Sequence, residues 1–181
     1  MSDPSVVTIH DKEFELFLER KDIKLAVAQM ADEINRDYEN QELVVLGVLD
    51  GAFMVLADLM KRLNLRVSLE LVKLKSYDGT QSSGKVHKLL GLNSSLKDCH
   101  VLIVEDIIDS GRTLEHCLAL VNSQHPKSVK TATLLIKEEV FKNRFPIHYT
   151  GISIPSRFVV GYGMDYDGQG RQLRHIYAEK E

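Results

Sequence analysis

The sequence predicts an α/β fold, in which a central, mostly parallel β-sheet is flanked by helices. Apolar runs of strand length alternate with segments of helical periodicity, and this alternation is typical of parallel sheets with covering helices. Hydrophobic residues make up 44% of the 181 residues and charged residues 27%, as in ordinary globular proteins. A chain of this length fits one domain, residues 1–181.

The first half of the chain alternates helix and strand. Residues 21–39 place apolar side chains at helical spacing, which predicts a helix with one buried stripe. Residues 43–49 form a continuous apolar run and predict a strand buried on both faces. A second helix is predicted over 52–63. A half-exposed strand follows at 67–71, where apolar and polar residues alternate.

A polar segment, SYDGTQSSGK (residues 76–85), interrupts this alternation. It contains two glycines and shows no periodicity, so it predicts a loop. A long polar loop inside a compact domain is often either an active-site lid or a disordered segment. Residues 86–92 predict a returning strand, which would make the loop and its flanks a protruding hairpin.

The second half of the chain repeats the strand and helix pattern. Residues 101–104 are apolar and rich in β-branched side chains, which predicts a short buried central strand. A helix is predicted over 113–124, and a buried strand over 129–136. Further short strands are predicted at 147–154, at 157–163 and near 175–178.

Charge and composition exclude several classes of function. The net charge is 23 − 26 = −3 without a lysine or arginine run, so no nucleic-acid partner is expected. No apolar run approaches membrane length, and the first residues lack a signal peptide, so no membrane partner is expected. Cys99 and Cys117 form no CxxC pair, which favours reduced thiols in a cytoplasmic protein.

The segment VLIVEDIIDSGRT (residues 101–113) combines acidic and anion-binding features. Glu105, Asp106 and Asp109 follow the apolar run, and small or hydroxylated residues lead into the next helix. Carboxylates at the carboxyl end of a strand can hold a divalent cation, hydroxyl groups or a proton. The free N–H groups of a glycine turn and a helix start suit a phosphate. A solvated acidic turn with a helix cap is the alternative interpretation.

Two other predicted strands end in residues that suit a site. The first ends at Asp50 and Gly51, and the strand over 129–136 ends at Lys137. Because parallel strands end on one edge of a sheet, these residues are expected beside the acidic segment. Each has a plain alternative, since Asp–Gly is a common turn and strands often end in a solvated lysine.

The acidic segment closely resembles the phosphoribosyl diphosphate signature of the type I phosphoribosyltransferases, and its residues are most similar to those of the hypoxanthine–guanine branch. The resemblance extends from about residue 46 to the end of the chain. It implies a type I fold with a flexible lid loop at about 76–86 and a small hood at about 155–181. It also implies a purine-salvage reaction. Phosphoribosyl would pass from 5-phosphoribosyl 1-diphosphate to N9 of hypoxanthine and guanine, giving IMP or GMP and pyrophosphate.

The resemblance implies a set of residues for the diphosphate substrate. Leu49-Asp50-Gly51 is similar to the family's pyrophosphate-contacting turn, where a non-proline cis peptide is usual. Asp50 stands where some members carry lysine, and an aspartate would repel pyrophosphate, so a backbone role is expected for it. Ser76 and Tyr77 resemble the conserved pair of the lid. The implied nucleotide-binding residues are Asp50, Gly51, Ser76, Tyr77, Glu105, Asp106, Ile107, Ile108, Asp109, Ser110, Gly111, Arg112, Thr113 and Arg171.

The resemblance also implies metal, purine and catalytic residues. Magnesium is the implied cofactor, with Glu105, Asp106 and Asp165 as its candidate ligands. Asp109 is the candidate base that accepts the purine N7 proton. In the purine site, Lys137 would contact the 6-oxygen, Phe158 would stack on the ring and the Val159 backbone would read the base edge. The implied purine-binding residues are Lys137, Phe158, Val159 and Asp165.

Alternatives remain within and outside this branch. A xanthine-preferring transferase differs only in how the 2-position of the base is recognised. Lys137 with Phe158 and Val159 argues against adenine and pyrimidines, since a lysine selects a 6-oxo group. An RNA-binding regulator on the same scaffold would need a basic face. The resemblance implies a homodimer or homotetramer.

Overall fold

The computed structural model describes residues 4–75, 87–90, 92 and 94–180. These residues form two β-sheets, one six-stranded and one four-stranded. The strands are β1 (Val6–Ile9), β2 (Lys12–Leu18), β3 (Glu42–Leu49), β4 (Arg66–Lys75), β5 (His87–Leu90), β6 (His100–Ile108), β7 (Ser128–Ile136), β8 (Tyr149–Ser153), β9 (Val159–Val160) and β10 (Ile176–Glu179). The helices are α1 (Arg20–Asp37), α2 (Phe53–Met60), α3 (Arg112–Asn122) and α4 (Glu138–Phe141).

The six-stranded sheet has the order β5-β4-β3-β6-β7-β8. Its neighbours are parallel except for β5, which is antiparallel to β4. This confirms the predicted central, mostly parallel sheet. The central strand β6 is buried on both faces because its side chains alternate between two cores. Leu102 and Val104 pack with α1 and α2, whereas Val101 and Ile103 pack with α3.

The four-stranded sheet is antiparallel and has the order β1-β2-β10-β9. It joins the two ends of the chain, because β2 pairs with β10. The strands β1 and β2 were not predicted. A local signal for β2 exists, since Phe14, Leu16 and Leu18 alternate along the strand, and Phe14 is fully buried. β9 is much shorter than the strand predicted over 157–163, because tight turns begin at Gly161.

Two further differences lie next to the acidic segment. β6 runs to Ile108, four residues beyond the predicted end, because Ile107 and Ile108 pair with Leu135 and Ile136 of β7. The acidic pair therefore lies within the strand, whereas it was predicted to follow the strand. The short helix α4, directly after Lys137, was not predicted.

The predicted hairpin is partly described. β5 returns antiparallel to β4, as expected for the far side of a hairpin. The loop predicted at 76–86 lies outside the described residues. Within the described part of the chain, no helix combines the length and the apolar character needed to cross a membrane.

Candidate active site

The carboxyl edge of the parallel sheet brings Lys137 and Asp109 together. Lys137 Nζ donates a hydrogen bond to Asp109 Oδ2 at 2.7 Å. The Lys137 residue is only 7% exposed, and its backbone N–H donates to the Ile108 carbonyl at 2.9 Å. Parallel pairing of β6 and β7 thus places the two strand ends side by side. The lysine is a buried cation aimed at one carboxylate, which excludes the alternative of a solvated strand-end lysine.

A cavity of about 200 Å³ opens beside this pair. Phe158 forms one wall and is 43% exposed, so part of its ring is accessible from the cavity. Its ring is supported from behind by Phe14 and Tyr166, at centroid distances of 6.2 and 5.9 Å. The cavity can accept a flat ring between Phe158 and a polar edge. Its lining residues are Asp106, Ile107, Asp109, Lys137, Phe158, Val159, Met164 and Asp165.

A second, smaller cavity of about 90 Å³ lies at the start of α3. Gly111 precedes the helix with φ 77°, and the first N–H groups of α3 follow it. These groups have no partner within the helix, so they can donate to an anion. A Cβ on Gly111 would lie 2.8 Å from Phe141 of α4, so this turn is closely packed. The lining residues are Glu105, Ile107, Ile108, Asp109, Ser110, Gly111, Arg112, Thr113 and Leu114.

The adjacent acids Glu105 and Asp106 diverge, as the extended backbone requires. Glu105 is 5% exposed, and its Oε1 has no hydrogen-bond partner among the residues that the structure describes. Burial, with the charge of Asp106, raises the pKa of Glu105 well above its usual range. On the other face, burial raises the pKa of Asp106 to about 6, although backbone hydrogen bonds and Arg171 oppose this change. Asp106 thus lies on the cavity side as a carboxylate that a cation would stabilise.

The turn after β3, at Asp50 and Gly51, lies against the turn that follows β9 at Gly163. The peptide bond between Leu49 and Asp50 is cis, in agreement with the resemblance. Gly51 packs against the Asp106 carboxylate on one side, and its carbonyl lies against Gly163 on the other. A Cβ on Gly163, which has φ 105°, would overlap that carbonyl. The two backbones therefore approach each other as closely as glycine allows.

A row of alternating charges lies beside this turn. Lys73 Nζ donates to both Asp50 carboxylate oxygens, at 2.8 and 2.6 Å. Arg171 lies 3.9 Å from Asp50 Oδ2 and forms a closer ion pair with Asp165 Oδ1, at 2.7 Å. The other Asp165 oxygen accepts the Gly168 N–H at 2.8 Å. The negative charge of Asp50, which sequence analysis treats as a difficulty for anion binding, is thus compensated within the protein.

Most of the predicted residues converge at this edge of the sheet. Ser76 and Tyr77 lie outside the described residues, so their roles stay predictions, as do the binding roles of the residues that converge. Met164 lines the larger cavity and Tyr166 supports Phe158, yet sequence analysis predicted neither. Their position shortly after Phe158 and Val159, on either side of Asp165, was the available signal. For Lys73, no local pattern indicates that it would contact Asp50.

Comparison with known proteins agrees with this geometry. Residues 15–167 match the family model described as the phosphoribosyl transferase domain. The chain belongs to the phosphoribosyltransferase family. The match covers most of the chain and includes both cavities.

Individual phosphoribosyltransferases are similar over nearly their whole length. The hypoxanthine-guanine phosphoribosyltransferase of Dictyostelium discoideum is 38% identical over 172 residues, which cover 92% of this chain and 96% of that protein. A crystal structure of a hypoxanthine phosphoribosyltransferase from Staphylococcus aureus superposes with a TM-score of 0.86 at 36% identity, covering 92% of this chain and 91% of that one. A Trypanosoma cruzi hypoxanthine phosphoribosyl transferase gives 0.85 at 34% identity, with 96% and 95% covered.

Proposed function

We propose that this phosphoribosyltransferase transfers phosphoribosyl from 5-phosphoribosyl 1-diphosphate to N9 of hypoxanthine and guanine in purine salvage. The observation that carries the proposal is the ion pair of the buried Lys137 with the solvent-accessible Asp109, 2.7 Å apart, opposite the half-exposed ring of Phe158. A cation, a carboxylate and an aromatic face are the groups needed to recognise a 6-oxopurine and accept its proton. The names of the most similar relatives support the same substrates.

In the proposed complex the purine occupies the cavity of about 200 Å³. Phe158 stacks on the ring, and the backbone of Val159 reads the base edge. Lys137 donates to the 6-oxygen, which disfavours adenine because its amino group would leave the lysine unpaired. The pocket then selects bases by a hydrogen bond that only a 6-oxo group can accept. This arrangement accommodates hypoxanthine and guanine.

The diphosphate substrate is proposed to bind across the two glycine turns. Gly111, Ser110 and Thr113, with the Arg112 amide, hold the 5′-phosphate at the start of α3. The backbone of Asp50 and Gly51, together with Arg171, holds the pyrophosphate. The cavity at α3 and the Gly51 turn lie on the same edge of the six-stranded sheet, which leaves the ribose between them.

The donor set fits magnesium bound together with substrate. No group of three or more histidine, cysteine, aspartate or glutamate side chains among the residues described could hold a metal alone. Mg²⁺ usually takes one or two carboxylates and completes its shell with water and phosphate oxygens. Asp106 and Asp165 would hold it here, and when bound it would neutralise charge on the leaving pyrophosphate. Glu105 remains a candidate for the metal or the ribose hydroxyls, although its carboxyl group is buried.

In the proposed catalytic step the purine nitrogen attacks C1 of the ribose while pyrophosphate leaves. Asp109 accepts the N7 proton, and Lys137 holds Asp109 at the place where that proton emerges. Arg171 and the Gly51 turn stabilise charge on the leaving group. A lid containing Ser76 and Tyr77 would exclude water, which would otherwise hydrolyse the substrate at C1.

Other properties are proposed from the family resemblance. The enzyme acts as a homodimer or homotetramer on small molecules in the cytoplasm, without a nucleic-acid or membrane partner. The cysteines support a reducing compartment, since Cys99 and Cys117 are both free thiols. Size-exclusion chromatography with light scattering measures the oligomeric state directly.

A labelled-purine panel tests the proposed activity. The purified protein is incubated with 5-phosphoribosyl 1-diphosphate, Mg²⁺ and radiolabelled hypoxanthine, guanine, xanthine or adenine, and the nucleotide formed is measured. We expect IMP and GMP to form with kcat/KM at least about 100-fold above that for adenine, as loss of a buried hydrogen bond predicts, and EDTA to abolish both products. A preference for xanthine, or retention of labelled RNA without nucleotide formation, would contradict the assignment.

A further inference from the structure

We propose that Lys73 is a positioning residue of the pyrophosphate site. By pairing with Asp50 it compensates the aspartate charge, which leaves the turn at Gly51 and the guanidinium of Arg171 available for an anion. The inference rests on the proposed function and adds a residue that neither sequence analysis nor the resemblance assigned. Lys73 lies on β4, outside all the segments predicted to form the site.

Lys73 contacts both oxygens of the Asp50 carboxylate. Its Nζ donates to Oδ1 at 2.8 Å and to Oδ2 at 2.6 Å, so both carboxylate oxygens are engaged. Parallel pairing of β3 and β4 sets Lys73 directly opposite Leu49, the residue before the turn. The side chains are 39% and 44% exposed, and such exposed pairs add little to folding stability. The pair therefore acts mainly on the electrostatics of the turn and little on folding stability.

An uncompensated Asp50 would disturb the site in two ways. Its carboxylate lies on the turn proposed to bind pyrophosphate, so an unpaired negative charge there would repel the anion. It also lies 3.9 Å from Arg171, close enough to draw that guanidinium away from its 2.7 Å contact with Asp165. Arg171 in addition donates to the Gly163 carbonyl at 2.7 Å, so a shift would be felt where the two backbones meet. Lys73 prevents both effects.

The test is a double-mutant cycle in the full-length protein. Lys73→Met removes the positive charge and nearly keeps the length of the side chain. Asp50→Asn removes the negative charge that Lys73 compensates. We expect K73M to raise KM for 5-phosphoribosyl 1-diphosphate about tenfold, while KM for hypoxanthine changes less than about twofold. In the D50N background the same K73M change should raise KM less than about twofold.

Two control variants and one independent measurement make the cycle specific. Lys73→Arg keeps the charge and should hold KM within about threefold of the wild type. Lys180→Met removes an ion pair of similar exposure, Lys180 with Glu13 at 2.9 Å, and should leave both KM values unchanged. Calorimetric titration with pyrophosphate and Mg²⁺ should show the same tenfold weakening in K73M, independently of turnover.

The outcomes separate this inference from the proposed function. A tenfold effect of K73M that persists in the D50N background would overturn it, because Lys73 would then act on the anion directly. An unchanged KM in K73M would overturn it as well. If K73M fails to fold, Lys73→Gln, which also removes the charge, replaces it in both backgrounds of the cycle. A wild-type protein without transferase activity would reject the proposed function instead, whereas the pyrophosphate titration would still report on Lys73.

Discussion

The two sides of the site are built by different means. The six-stranded sheet supplies charged groups at the ends of its strands. Asp106 lies near the end of β6, Asp109 directly follows β6, and Lys137 directly follows β7. The four-stranded-sheet side supplies an aromatic face, Phe158, followed by a segment of tight turns that carries Arg171. On the first side, parallel pairing fixes the positions of the groups. On the second, individual backbone conformations do so.

The turn segment between β9 and β10 shows what this difference requires. Several of its residues have positive φ, among them Gly161, Tyr162 and Gly163. Backbone hydrogen bonds hold it, with the Tyr162 N–H donating to the Leu173 carbonyl at 2.8 Å and the Gly163 N–H to the Arg171 carbonyl at 3.0 Å. A regular sheet edge tolerates change at single residues, whereas such a segment depends on each glycine. Substitutions on the two sides should therefore fail in different ways.

The largest expected effect concerns chemistry at the sheet edge. Asp109→Asn removes the proposed base and should lower kcat by about 10²–10⁴-fold, the usual contribution of general-base catalysis. Binding of 5-phosphoribosyl 1-diphosphate, measured by calorimetry, should change little because the anion-binding groups remain. Asp32→Asn, at an exposed position of α1, is the control. Turnover close to wild type in D109N would remove Asp109 as the base.

The next effect concerns the junction between the two sides. Gly163→Ala should lower the free energy of unfolding by about 3 kcal/mol, because a Cβ at positive φ would also overlap the Gly51 carbonyl. Gly168 has φ 81°, and nothing lies within 4 Å of a Cβ added there. Gly168→Ala should therefore lower the free energy of unfolding by only about 1 kcal/mol, through backbone strain alone. Urea denaturation measures both. Equal losses would show that the close approach of the two backbones is unimportant.

A smaller effect is expected for the purine-contacting lysine. Lys137→Ala should raise KM for hypoxanthine about 10- to 100-fold, the loss of one charge-assisted hydrogen bond, and leave KM for the diphosphate within about threefold. Lys127→Ala, at an exposed lysine just before the other end of β7, is the control and should change neither value. Steady-state kinetics with both substrates tests this, and unchanged hypoxanthine kinetics in K137A would defeat the assignment.

The smallest effect belongs to the aromatic face. Phe158→Leu removes stacking but little buried area, so KM for hypoxanthine should rise about 3- to 10-fold with folding stability nearly unchanged. Phe53→Leu affects a ring of nearly equal exposure, 42% against 43%, outside the purine cavity, and should leave KM for hypoxanthine unchanged. A large stability loss in F158L would mean that the ring belongs to the core and not to the site.

Most of the parallel sheet and the acidic side of the site could be predicted from the sequence, because their signals are local. An apolar run followed by carboxylates and a glycine helix start identifies strand, acids and anion cradle within residues 101–113. The strand β2 has a comparable period-two signal and pairs with its sequence neighbour β1, yet neither strand was predicted; the pairing of β2 with β10, at the other end of the chain, leaves no local signal. The end of β6 was misjudged because pairing with β7, and not composition, extends it.

The sequence by itself determined the order of elements from α1 to β7 and the chemistry available at the ends of the parallel strands. Side-chain alternation and loop chemistry depend only on neighbouring residues, so these features can be identified without coordinates. Only the tertiary structure decided that Lys73 compensates Asp50, that the Glu105 carboxyl group is buried, and that Gly163 meets Gly51. Each of these depends on which strands pair, in which register, and how two distant backbone segments pack together.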